Sequence, residues 1–172
     1  MTHNTAYIQQ ILRAHGIDAW ALYDFRGSNS IAWTTLNVAP DAHCTRRWMV
    51  VIPADGTVVK VVHSMEQHPL NHLDVAAQYY TTHQEWVSAV QQTLAPYKTL
   101  AMEYSPNGSL PVVSKVDAGT LEMVRGLGHT IVSSADISQY TTSVLSNVQL
   151  AGAAVTAGLL RDAMFEGFSL VR

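Results

Sequence analysis

Two apolar runs, Trp48 to Ile52 and Thr57 to His63, flank the tetrapeptide Pro53-Ala54-Asp55-Gly56. Asp-Gly between strand-like runs signals a tight reversal, so the two runs are expected to pair antiparallel. On either side of this hairpin the chain alternates between strand and helix patterns. Tyr7, Ile8, Ile11 and Leu12 recur at helical spacing, with Asn4 or Thr5 as the cap and Gly16 at the end. Ala19 to Tyr23 reads as a buried strand that empties into the polar loop Asp24 to Ser30, and such a junction is where α/β proteins often bind ligands. Thr82-His83-Gln84-Glu85 matches a capping box, and Trp86, Val87, Val90 and Leu94 carry that helix to Pro96. Lys98 to Tyr104 is a further strand, followed by the turn residues Ser105-Pro106-Asn107-Gly108. Asp117 caps a helix bearing Leu121, Val124 and Leu127, with Gly128 at its end; His129 to Val132 is a short strand, and Ser133 or Ser134 starts a brief helix. Gln78 to Thr81 reads as an edge strand. Alternating strands and helices predict an α/β, three-layer domain, and the hairpin makes its sheet mixed.

The last stretch differs. Ser146-Asn147-Val148-Gln149 is a second capping box, and Leu150, Ala151, Ala154, Val155, Leu159, Met164 and Phe168 keep helical spacing after it. Such a helix is about 37 Å long at 1.5 Å per residue, more than a domain of this size needs. The division expected is therefore a domain over 1–145 and, over 146–172, a helix leading to a further domain. These residues read as the front portion of a longer polypeptide.

Composition removes several classes of function. Of 172 residues, ten are Lys or Arg and thirteen Asp or Glu, a net charge of −3, so there is no positive field to gather nucleic acid or anionic lipid. Charged residues make up 13%, about half the usual share for soluble domains, which is consistent either with surface hidden against another domain or subunit or with a coat of Ser, Thr, Asn and Gln. The single cysteine, Cys44, excludes an internal disulfide and a multi-thiolate zinc site and fits a reducing compartment. Met1-Thr2-His3-Asn4-Thr5 lacks the basic flank and apolar stretch of a signal peptide. The expectation is a cytoplasmic protein, with no membrane and no nucleic acid as partner.

Chemistry-bearing constellations are sparse. His68 and His72 lie four apart, but no carboxylate stands at ligand spacing and no His-Glu-x-x-His occurs. His43 and Cys44 are adjacent, and neighbours on extended backbone point apart. Gly126-Leu127-Gly128 precedes a strand and lacks a third glycine, and phosphate-loop and Gly-x-Ser-x-Gly patterns are missing. Arg46-Arg47 opens a strand, where a solvated or ion-paired role is expected. Arg26 is better placed, between Phe25 and Gly27 in the loop after the first strand. Its guanidinium can take a carboxylate in bidentate fashion, or pair with Asp24.

The order of five segments is similar to a known family. Asp18-Ala19-Trp20-Ala21-Leu22-Tyr23-Asp24-Phe25-Arg26-Gly27-Ser28-Asn29, Thr45-Arg46-Arg47-Trp48, Met102-Glu103-Tyr104-Ser105-Pro106, Val116-Asp117-Ala118-Gly119-Thr120 and Ser133-Ser134-Ala135-Asp136 resemble, in that order, the N-terminal domain of the Xaa-Pro peptidases: creatinase, prolidase and aminopeptidase P. Ser30 departs from the proline that relatives tend to carry there. The resemblance implies a non-catalytic α/β domain with a ribonuclease-H-like mixed sheet, joined by a helix to a pita-bread metallopeptidase domain that holds two divalent ions, manganese, cobalt or zinc. No metal ligand and no catalytic residue of that domain falls within this chain. It also implies a homodimer acting on proline-containing peptides, in which the loop Asp24 to Trp33 reaches the partner's substrate pocket. Phe25 would supply apolar contact, Arg26 would neutralise a substrate carboxylate or hold the loop in place, and Asn29 would offer hydrogen bonds. Two other readings stand beside it: a free-standing α/β binding module that uses the same loop for an anionic metabolite, and a small hydrolase built on Cys44 and a nearby histidine.

Overall fold

The structure is a computed structural model and describes residues 5–171; Asn4, one of the two expected caps of the first helix, lies outside them. The chain divides into two units, Met1–Thr142 and Ser143–Arg172.

The first unit is built on six strands, β1 (Ala19–Phe25), β2 (Arg47–Pro53), β3 (Val59–His63), β4 (Ala76–Tyr80), β5 (Thr99–Met102) and β6 (Thr130–Ser133). They lie in the order β4-β3-β2-β1-β5-β6. β2 runs antiparallel to both β1 and β3, and the other neighbouring pairs are parallel. The hairpin expected around Asp55-Gly56 is β2–β3, in register Met49 to Val61, and Gly56 takes φ 114°.

Alternation along the strands feeds two separate cores. Trp20 and Leu22 of β1, with Trp48, Val50 and Ile52 of β2, pack on one face beneath the helices α1 (Thr5–Ala14), α2 (Ser30–Leu36) and α5 (Ala135–Thr142). Ala19, Ala21 and Tyr23, with Met49 and Val51, pack on the other beneath α3 (His83–Leu94) and α4 (Ala118–Gly126). The domain therefore has three layers. α2 is the element that the sequence did not announce: the stretch Asp24 to Trp33, expected as loop, becomes helical at Ser30. The residues that stop the loop are Asn29, whose side chain accepts from Ala32 N as N-cap, and Asn37, which ends the helix in the left-handed region.

The capping box at Thr82 and Glu85 is formed, with Glu85 N–H donating to Thr82 Oγ1 at 3.2 Å and Thr82 N–H to Glu85 Oε2 at 3.0 Å. Asp117 caps α4 through Thr120 N–H at 2.9 Å. The second unit holds α6 (Asn147–Leu170), 24 residues, opened by the Ser146–Gln149 capping box. Its apolar side chains Leu150, Val155, Leu159, Leu160, Met164, Phe165 and Phe168 are exposed. Among the described residues no single helix is long and apolar enough to cross a membrane.

Candidate functional site

β1, β3 and β4 all end at one edge of the sheet, where β2 begins. Asp24 and Phe25 are the last two residues of β1, and alternation sends them to opposite faces. The two faces carry different chemistry.

On the Asp24 side the chain ties a polar knot. Asp24 is fully buried, and its carboxylate accepts Gly27 N–H at 2.9 Å and Asn29 N–H at 2.8 Å. Asn29, also fully buried, donates through Nδ2 to Tyr23 O at 2.7 Å and to Glu103 Oε2 at 2.6 Å. Glu103 leaves the end of β5, and Trp20 Nε1–H donates to its other oxygen. Burial pushes the Glu103 carboxyl up to about 7, against the donors from Asn29 and Trp20, which favour its ionised form. Asn29 acts on the loop from inside: both its side-chain amide atoms are spent within the chain.

Arg26 sits at the apex of that loop in the left-handed region, φ 59°, followed by Gly27 at φ 75°. Ser28 N–H donates back to Phe25 O at 3.3 Å, the pattern of a type I′ turn. Gly27 accommodates this geometry freely, while Arg26 holds it at a steric cost. Arg26 makes no ion pair with Asp24, since the described ion pairs are Arg13–Asp55 and Arg161–Asp162. With Trp33, His43 and Cys44 it lines a shallow pocket of about 270 Å³.

On the Phe25 side lies the larger cavity, about 800 Å³. Its floor is aromatic. Tyr80 and Trp86 meet at 5.0 Å between ring centres and Tyr23 and Trp86 at 6.1 Å. Its rim carries Arg46, Arg47 and His83, the last at the start of α3. The Arg47 guanidinium lies over the Trp86 ring, 5.3 Å from its centre, and its NH2 is 3.1 Å from His83 Nδ1. Sequence reading gave Arg46 and Arg47 a solvent or ion-pair role. The missed signal was tertiary, because Trp86 and His83 stand almost forty positions downstream and reach Arg47 only through the β2–β3–β4 order.

The remaining candidates disperse. His68 Nε2 bonds His43 O at 2.6 Å and His72 Nε2 bonds Leu36 O at 2.8 Å, so the two imidazoles serve different carbonyls. Among the described residues no group of three or more His, Cys, Asp or Glu is placed to hold a metal ion. Cys44 is buried, and its thiol faces Asp24 Oδ2 at 3.6 Å. Burial, and then the Asp24 charge, push that thiol up to about 11, the opposite of what a nucleophilic cysteine requires.

Comparison with known proteins gives one consistent answer. No family model and no curated protein matches this sequence. Solved structures do. The prolidase from Pyrococcus horikoshii OT3 superposes with a TM-score of 0.59 at 13% identity, over 87% of this chain and 38% of that one. The N-terminal domain of Xaa-Pro dipeptidase from Lactobacillus brevis gives 0.57 at 12% identity, over 79% of this chain and 98% of that domain. The creatinase/prolidase N-terminal domain of an X-Pro dipeptidase from Streptococcus pyogenes gives 0.56 at 14%, over 78% and 95%. The chain thus spans about two fifths of a prolidase (38%) and nearly the whole of the isolated N-terminal domains (98% and 95%). Its fold is that of the creatinase/prolidase N-terminal domain.

Proposed function

We propose that this chain is the non-catalytic N-terminal domain of a metal-dependent Xaa-Pro peptidase, of the prolidase or aminopeptidase P kind, acting in the cytoplasm as a homodimer on proline-containing peptides. The observation that carries the reading is the match in extent: 98% of an isolated N-terminal domain against 38% of a complete prolidase. In this reading manganese, cobalt or zinc ions belong to a second domain, and no residue of this chain is asked to hold them. α6 is the connector to that domain. The turn Phe25-Arg26-Gly27 is the part offered to a partner's substrate pocket. Phe25 and Arg26 are exposed there, while Asn29 and Asp24 fix the turn from below.

The test is hydrolysis of Xaa-Pro dipeptides with manganese added. This chain alone is expected to be inactive, and the product of the uninterrupted reading frame, if it continues past Arg172 with an Asp, Asp, His, Glu, Glu series, is expected to be active. Turnover by the purified 172-residue chain, or a parent without that series, overturns the reading.

A further inference from the structure

We propose that the cavity above Trp86 is a binding site for a small organic anion, a carboxylate on an aromatic or apolar body, received by Arg47 and His83. The proposal is independent of the peptidase reading, because every group it uses lies within this domain.

Three observations converge on that ligand. The first is room: about 800 Å³ at the edge where β1, β3 and β4 end lies within the range of pockets that enclose small molecules, and open α/β sheets bind ligands at that edge. The second is charge. Arg46 and Arg47 both line the cavity, and neither forms an ion pair among the described residues. The one carboxylate in the lining, Asp117, is already engaged by Thr120 N–H at 2.9 Å and Thr120 Oγ1–H at 2.7 Å. At the α3 amino end Glu85 takes the N–H groups of Thr81 and Thr82, and Thr82 Oγ1 takes that of Glu85.

The third is the surface on which the guanidinium rests. A cation held over an indole face is steered by the ring as well as by its hydrogen bonds. Arg47 gives one N–H to His83 Nδ1, which leaves the other donors of its planar fork, and the Nε2–H of a neutral His83, for a ligand. The Tyr80 hydroxyl is not offered to a ligand, because Tyr80 O–H donates to Arg47 O at 2.7 Å. Trp86, Tyr80 and Tyr23 are themselves buried, so the apolar surface left for a ligand's body is that of exposed Phe25 with half-buried Val87 and Met123, which an inorganic anion would not cover.

Titration calorimetry on this chain with 3-phenylpropanoate, 3-phenylpropanol and inorganic phosphate tests the site. The acid is expected to bind with a Kd of about 1 mM or tighter, and the alcohol and phosphate about tenfold more weakly. Arg47→Ala is expected to weaken the acid by about tenfold and His83→Ala by about threefold, with dispersed amide spectra showing that each variant is folded. Since Arg47→Ala also unstacks Trp86, the amide shifts of the unaltered chain give a second readout, expected at Phe25, Arg47, Thr82 and Trp86. Absence of saturation, equal affinity for the alcohol or for phosphate, undiminished affinity in folded Arg47→Ala and His83→Ala, or shifts located elsewhere would each overturn the proposal.

Discussion

Asn29 Nδ2 donates to Glu103 Oε2 at 2.6 Å across seventy-four positions of sequence, and this one bond couples the exposed turn after β1 to the interior end of β5. Asn29 also caps α2 and holds Tyr23 O. The turn that presents Phe25 and Arg26 is therefore anchored in the core and not in its own short loop.

Replacing Asn29 with alanine should remove that anchor. Loss of the cap costs about 1 kcal/mol, and leaving one oxygen of a buried carboxyl unpartnered adds roughly 1–3 kcal/mol. Urea denaturation of Asn29→Ala is expected to show an unfolding free energy lower by about that sum, and a change below about 0.5 kcal/mol would refute the anchoring role.

Glu103 should make stability depend on pH in an unusual direction. Its carboxyl stands at about 7 in the fold against 4.5 ordinarily. The native state therefore holds the proton more tightly than the unfolded chain. That contribution is complete below about 4.5 and is lost as pH rises through about 7, with a total on the order of 3 kcal/mol. Melting temperatures of the natural chain and of Glu103→Gln, whose amide stands in for the protonated carboxyl, should lie close at about pH 4.5 and separate toward about pH 8, the natural chain falling below, because only the natural chain loses this contribution. A constant difference would contradict it.

Cys44 should resist alkylation. With the thiol pushed up to about 11 by burial and by Asp24, its thiolate fraction at neutral pH is about a hundredfold or more below that of free cysteine. Mass spectrometry after iodoacetamide treatment at pH 7.5 is expected to find slow labelling that accelerates on unfolding. Rapid labelling of the folded chain would revive a catalytic role for this residue.

Thr82→Ala should lower stability by about 1 kcal/mol through loss of the α3 cap. The rim of the large cavity includes His83, the first residue of that helix, so affinity for 3-phenylpropanoate should fall with it. Calorimetry and thermal melts on the same variant check both.

On the proposed reading, Arg26→Ala in a full-length peptidase should raise KM for short peptides with kcat little changed, the signature of a group that would bind substrate and take no part in the chemistry. Arg26→Gly in this chain should leave stability unchanged or raise it slightly, since glycine adopts positive φ freely. Unchanged peptide kinetics would remove Arg26 from the substrate pocket.

Much of the architecture was legible in the sequence because it rests on local chemistry. Asp55-Gly56 specifies a reversal wherever it stands. Thr82 with Glu85, Asp117 with Thr120, and Ser146 with Gln149 satisfy helix amides three residues away, so those helix starts need no distant partner. The alternation of Ala19 to Tyr23 settles which residues share a face before any neighbour is known. α2 escaped because its stop and start signals, Asn29 and Asn37, are also ordinary loop residues, and its seven residues are too few to display a period. The sites escaped for a different reason. Whether Arg47 is solvated or stacked depends on Trp86 and His83, and whether Asn29 faces a ligand or the core depends on Glu103. Strand order brings those partners together, and no spacing along the chain encodes it.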